Sequence, residues 1–364
     1  MQTLRVAILG QGRSGRDIHG AYLSKDTERF KIVAVVDPLS ERRDRAKAEY
    51  DCEVYLDYTA LLGRTDLDLV VNAAPSKFHV PITLELLEAG FNVLCEKPLA
   101  STADEVDRLI AASERSGKRL AIFQQSRYAP YFRKVREVIA SGALGDIVQV
   151  SIAFNGFSRR YDWQTLTAER GGNLLNTGPH PLDQALQLFG TDVMPDVTCL
   201  MRNVLSYGDA EDHVLLILSG EGRPIIHLEI SSCCRLPAFT YNVYGTRGGL
   251  KGNTSHLEWE TYDPATAREL HLITTPLNRP DGTPAYCSDS LEWRKEEWNA
   301  PQDLGLFEGM SASFYAMLYR SLTAGEPLEI TPQQVRRQIA VIEECQRQNP
   351  QIYADVLRER SKPC

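Results

Sequence analysis

Leu4-Arg5-Val6-Ala7-Ile8-Leu9-Gly10-Gln11-Gly12-Arg13-Ser14-Gly15 is the stretch on which the reading of this chain turns. The apolar run from Leu4 to Gly10 predicts a strand buried on both faces. It runs into G-x-G-x-x-G, and a helix is expected over about Ser14–Leu23. In that setting Gly10 permits a tight turn, Gly12 lets a pyrophosphate approach the backbone, and Gly15 lets the helix pack on the strand. The helix N-terminus, opened by Arg13 and Ser14, favours negative charge. A second strand, Phe30–Asp37, ends on Asp37 about twenty residues further on. A carboxylate there can hold both ribose hydroxyls and repels a 2′-phosphate, so NAD is expected over NADP. Arg42 and Arg43 nearby soften that discrimination.

Outward from this unit the pattern alternates. Ser40 opens a charged helix ending near Tyr50, and Leu67–Pro75 reads as another buried strand. A helix through Leu84–Gly90 follows, stopped by Gly90, then a strand Asn92–Pro98. Thr102 and Glu105 make a capping-box pattern, Gly117 closes that helix, and Arg119–Phe123 is a further strand. Repeated β-α alternation predicts an α/β fold with a doubly wound parallel sheet over residues 1–125.

From about residue 126 to 364 the pattern changes. A helix, Tyr131–Ser141, leads into the strand-like run DIVQVSIAF, and HVLLILSG, PIIHLEIS and FTYNVYGT come later. Turn signals such as GEGRP and RGGLKGN join them, which predicts a mostly antiparallel sheet in an α+β domain. Residues 255–305 read as hairpins or an extended loop, and helices are expected over Ser311–Ala324 and Thr331–Gln348.

With 40 basic against 48 acidic residues the net charge is −8, which argues against a nucleic-acid partner. No apolar stretch approaches the roughly 20 residues that span a bilayer, and the N-terminus does not read as a secretory signal. Eight cysteines without a C-x-x-C pair read as reduced thiols, so a cytoplasmic location and no intrinsic metal are expected.

Glu96-Lys97-Pro98 ends a parallel strand, where open α/β sheets bind ligands. Downstream lies Gly171-Gly172-Asn173-Leu174-Leu175-Asn176-Thr177-Gly178-Pro179-His180-Pro181-Leu182-Asp183, with His180 and Asp183 on one helical face. With these motifs, VVNAAPSKFHVPI, the YGTRGGLKGN turn and the closing PLEITPQQVRRQIAVIE, nearly the whole chain resembles the glucose-fructose oxidoreductase / inositol dehydrogenase (Gfo/Idh/MocA) family. The resemblance implies an N-terminal Rossmann domain and a C-terminal domain whose large open sheet covers the nicotinamide and mediates homo-oligomerisation. It also implies Lys97 and His180 as a catalytic pair. Many members carry Asp where this chain has Asn176; Asn can exchange hydrogen bonds with a substrate hydroxyl but supplies no charge.

The implied activity is hydride transfer between NAD and a secondary alcohol of a sugar, glycoside or cyclitol, with Lys97 as acid/base. Asn176 joins the catalytic set, and Ala74, Pro75, His79, Glu96 and Lys97 are candidate cofactor contacts, with loop packing the favoured reading for His79. Gln124, Arg127, Tyr161 and Trp163 are candidate substrate contacts, with Tyr128 beside them; Arg159, Arg160 and Arg170 read as surface charge. Two other readings stay open: a redox-neutral enzyme that uses NAD transiently on glycosides, and a non-catalytic NAD-sensing protein on the same scaffold.

Overall fold

The computed structural model describes residues 2–301 and 305–360. Six parallel strands form the first sheet: β1 (Leu4–Leu9), β2 (Phe30–Val36), β3 (Glu53–Tyr55), β4 (Leu69–Asn72), β5 (Val93–Cys95) and β6 (Leu120–Ile122). Their order is β3-β2-β1-β4-β5-β6, the doubly wound arrangement. The β1, β4 and β5 side chains are almost all buried, because helices cover both faces. The order of strand addition reverses between β1 and β4: β2 and β3 build outward on one side, β4 to β6 on the other. The segments after β1, β4 and β5, which carry Gly10–Gly15, Ala74–Pro75 and Glu96–Lys97, therefore crowd one end of the sheet.

The helix expected after the fingerprint is π-wound over Arg13–Gly20, with the Ala21 N–H reaching the Arg16 carbonyl, and continues as α1 (Ala21–Leu23). Helices α2 (Ser40–Tyr50), α3 (His79–Glu88) and α4 (Ala103–Ser116) complete this lobe. Thr102 and Glu105 form the expected capping box, and Gly117 ends α4 at φ +65°.

Helix α5 (Pro130–Ala140) leads to β7 (Ile147–Asn155), then α6 (Asn173–Asn176) and α7 (Pro179–Phe189). The remaining strands are β8 (Asp196–Arg202), β9 (His213–Ser219), β10 (Ile225–Ser231), β11 (Tyr241–Gly245), β12 (Gly248–Gly252), β13 (His256–Thr261), β14 (Leu277–Asn278), β15 (Pro284–Ala285) and β16 (Arg294–Asn299). Seven of them join β7 in an eight-stranded sheet ordered β16-β13-β12-β11-β7-β10-β9-β8, antiparallel except for β7 against β10; β14 and β15 pair as a small hairpin. The stretch RGGLKGN, read from sequence as a turn, is strand over five of its seven residues: Leu250 is buried and β12 pairs on both sides.

Helices α8 (Leu306–Thr323), α9 (Pro332–Arg347) and α10 (Pro350–Arg360) close the chain. The sheets part between β6 and β7, but α8 and α9 return to the first lobe. Tyr319 Oη donates to the Gln2 carbonyl (2.7 Å), and Arg336 holds Asp107 (2.6 Å). Among the described residues no helix is long and apolar enough to cross a membrane.

Candidate active site

The fingerprint glycines are each needed for a different reason. A Cβ on Gly10 (φ +86°) would lie 2.5 Å from the Ala73 carbonyl oxygen, and one on Gly15 would lie 1.8 Å from that of Gly10. Gly12 meets nothing nearer than Arg42 Nη1 at 3.9 Å, so its backbone is open to a ligand. Arg13 is exposed and Ser14 half-buried at the start of the helical turn. Asp37 sits beside this loop, its Oδ2 accepting from the Gln11 N–H (2.7 Å) and its Oδ1 from the Leu39 N–H (2.9 Å). Arg42 Nη1 stands 3.5 Å from Oδ2. A phosphate-accepting backbone with a carboxylate at the end of β2 fits a dinucleotide such as NAD.

After β4, Ala74 is half-buried and Pro75 exposed. His79 points the other way. It is buried, with Nδ1 2.7 Å from the Pro98 carbonyl oxygen and Nε2 2.8 Å from that of Ala74. Burial pushes its pKa down, partly offset by those carbonyls. The ring ties the β4 loop to the Glu96-Lys97-Pro98 turn, which is the loop packing favoured for it and not a cofactor contact.

Lys97 crosses to the second lobe. Its Nζ donates to the Asn176 carbonyl at 3.0 Å. Burial lowers the lysine pKa and the positive charge of Arg13 adds to this, while Glu96 opposes both. Asn176 thus meets Lys97 through its main chain, where Asp would present the same oxygen. His180 stands at the start of α7 with Nδ1 3.1 Å from Ser126 Oγ. Burial first, then the charge of Lys97, brings its pKa down to about 3, so the ring is neutral at ordinary pH. Its Nε2 has no partner among the described residues.

Glu96 is buried behind this pair. Its Oε1 lies 3.2 Å from His19 Nε2, and its Oε2 accepts from the Lys97 N–H at 3.0 Å. Burial alone would raise its pKa, but His19 and the neighbouring positive charges outweigh that and bring it to about 2. Both oxygens are engaged by protein groups, so Glu96 supports the site from within.

Two expected substrate contacts are turned inward. Gln124 is fully buried, its amide donating to the Pro179 carbonyl at 2.7 Å. Arg127 is also buried, in a bidentate pair with Asp183 (2.9 and 2.5 Å) and with Nη1 on the Glu329 carbonyl and Gln334. Tyr128 donates to Glu329 Oε2 (2.9 Å). These residues fasten the lobes together, and every Arg127 nitrogen is occupied. Tyr161 and Trp163 lie on the loop after β7, 85% and 49% exposed. Arg159 reaches Tyr207 (2.7 Å), Arg160 pairs with Asp162 (2.7 Å), and Arg170 stands near Glu105 (3.5 Å).

Residues not singled out from the sequence complete the site. Ser126 orients His180, and His19 with Tyr315 stands behind Glu96. Glu211 accepts from the Leu174 N–H (2.8 Å) and packs so tightly that a Cβ on Gly172 would lie 2.4 Å from its Oε2. Beside α6 opens a hollow of about 390 Å³ lined by Asn155, Ser158, Asn173, Thr177, Ser231 and Thr240, among others. None of its lining side chains is charged, and the buried Asn155 Oδ1 has no hydrogen-bond partner among the described residues.

Two family models match the chain. One, an oxidoreductase family with an NAD-binding Rossmann fold, covers residues 4–124; the other, the GFO/IDH/MocA C-terminal domain, covers residues 132–251. The chain therefore belongs to the GFO/IDH/MocA oxidoreductase family. Inositol 2-dehydrogenase 2 of Saccharopolyspora erythraea is 26% identical over 91% of this chain and 97% of its own. 2,7-Anhydro-N-acetylneuraminate hydratase of Mediterraneibacter gnavus is 29% identical over 69% and 67%. Among solved structures, an NAD-binding protein from Listeria innocua superposes with TM-score 0.79 at 23% identity, covering 96% of this chain and 97% of its own. GenD2 from gentamicin A biosynthesis, in complex with NAD, gives 0.73 at 22% identity over 96% and 94%.

Proposed function

We propose that this chain oxidises a secondary alcohol of a neutral sugar, glycoside or cyclitol, with NAD as coenzyme and Lys97 as the base. The observation that carries the reading is the cross-lobe contact of Lys97 Nζ with the Asn176 carbonyl, beside the neutral His180. NAD, when bound, supplies the hydride acceptor. Lys97, its pKa lowered by burial, takes the hydroxyl proton as a free amine and becomes an ammonium as the carbinol becomes a carbonyl. The Asn176 carbonyl then accepts from that ammonium. His180 Nε2 holds the reacting oxygen, and the Ser126 hydroxyl can donate to or accept from Nδ1, so a change of tautomer needs no movement of either group. The uncharged hollow beside α6 suits a neutral polyol better than an acid. Asp37 beside the Gly12 backbone favours NAD over NADP.

The deciding measurement is NADH formation over a panel of inositols, aldoses and glycosides, with wild type and Lys97→Met. Turnover in wild type and its loss in a variant that still binds NAD is the expected result; near-wild-type turnover in Lys97→Met removes the assignment. The relative named a hydratase supports a second reading, in which the hydride returns to the product. Substrate conversion without net NADH would favour it.

A further inference from the structure

Behind Lys97 lies a chain of buried polar groups that the reaction above leaves unused. Tyr315 Oη is 2.7 Å from His19 Nδ1, His19 Nε2 is 3.2 Å from Glu96 Oε1, and Glu96 Oε2 accepts from the Lys97 N–H at 3.0 Å. All three side chains are buried, in a setting of aromatic rings: Phe123 stands edge-on to His19 at 4.5 Å, and Tyr22 stacks on Tyr315 at 4.8 Å. The chemistry fixes the direction of the bonds. An ionised Glu96 only accepts, so His19 Nε2 carries a proton and donates. Burial keeps the Tyr315 phenol protonated, so it donates to His19 Nδ1. The net result is a buried carboxylate in a dry pocket, tied through His19 to Tyr315 on α8 of the other lobe.

The local backbone serves this arrangement. Gly15, His19 and Gly20 are the buried residues of the π-wound turn, four and five positions apart, the period of an i→i+5 ladder. That winding turns the His19 ring inward, toward Glu96.

We propose that Tyr315, His19 and Glu96 are positioning residues that hold a fixed negative charge behind Lys97 and so tune how tightly that lysine keeps its proton. This rests on the reading of Lys97 as the base. The charged and titratable groups that bear on Lys97 are Glu96 from the end of β5, Arg13 from the fingerprint turn and His180 from α7; those facing Glu96 are His19, Lys97, His79, His180, Cys95 and Tyr315. Arg13 and burial favour the free amine, and Glu96 alone opposes them.

The test titrates Lys97 directly in the full-length protein, by its rate of acetylation with acetic anhydride against pH, read at the Lys97 peptide by mass spectrometry. In Glu96→Gln the midpoint should fall by about one pH unit or more, and the acid limb of kcat should fall with it. Glu96→Asp should keep the midpoint near wild type, since it keeps the charge. Tyr315→Phe, which keeps the ring and removes only the donor, should move it in the same direction by less. A folded Glu96→Gln protein with the wild-type Lys97 midpoint overturns the proposal. If Glu96→Gln does not fold, an unmoved midpoint in Tyr315→Phe overturns it instead. A shifted midpoint in a protein that turns over no alcohol leaves the charge arrangement standing and removes the proposed reaction.

Discussion

Glu96 in the first lobe and Glu211 in the second are both buried carboxyl groups, yet their proton affinities move in opposite directions. Glu96 meets an imidazole N–H and its own chain's amide, with cationic groups around it, and falls to about 2. Glu211 meets the Tyr353 hydroxyl and the Leu174 N–H, stands next to Asp212, and is pushed up to about 7, chiefly by burial. Burial is the same for both; the sign of the surrounding charge decides which carboxyl stays ionised. The first lobe sets its carboxylate against the main chain of Lys97, behind that residue's amine. The second uses its carboxyl to hold α6, whose Asn176 carbonyl that amine touches.

The sharpest way to break this contrast is to remove a cationic partner altogether. Asp183 is another buried carboxylate, and Arg127 holds it bidentately. Arg127→Met leaves that charge without its partner and should cost about 3–5 kcal/mol in urea unfolding. The KM of the surviving folded enzyme should change little. A raised KM with unchanged stability would instead return Arg127 to the substrate.

Glu211 gives the next largest effect, and its sign is fixed by linkage. Its folded pKa of about 7 lies above the ordinary 4.5, so the native state holds the proton more tightly than the unfolded chain. The stability it contributes is full below pH about 4.5 and is lost as pH rises through about 7, up to about 3 kcal/mol. Glu211→Gln should remove that decline, so its unfolding midpoint gains on wild type as pH rises over this window. A constant difference across the window would mean that Glu211 ionises normally in the fold.

The same contrast separates what was legible in the sequence from what was not. Five of the six strands of the first sheet were legible because they are apolar runs between glycine and cap signals, as at Leu4–Leu9 and Phe30–Val36; the short β3 (Glu53–Tyr55), with no buried residue, was not. Strand β8 was not, since only Cys199 and Met201 are buried apolar residues along it, and glycine-rich β12 is a strand because β11 and β13 flank it. Lys97 and His180 stood out as motif residues at element ends, and the structure brings both to the place where the lobes meet. His19 did not stand out, because it acts only once π-winding turns it inward and Tyr315 arrives from 296 residues away. Gln124 and Arg127 were placed in the right neighbourhood but facing the wrong way. Proximity to a motif is written in local pattern, whereas side-chain direction comes from packing between segments far apart in the chain.

The smallest effect tests whether charge on the far side of Lys97 acts as charge behind it does. Lys97 Nζ meets only the neutral carbonyl of Asn176 there. Asn176→Asp brings a carboxylate to the residue that carries this carbonyl, so the acid limb of kcat should move to higher pH, by up to about one unit. Glu96→Gln moves the same limb the other way, so the double variant should return toward wild type. If Asn176→Asp leaves the limb in place while Glu96→Gln moves it, the side chain at 176 lies outside the electrostatic reach of the amine. In that case the main-chain oxygen is the whole of this residue's contribution, and the departure from the family's usual Asp changes nothing at Lys97.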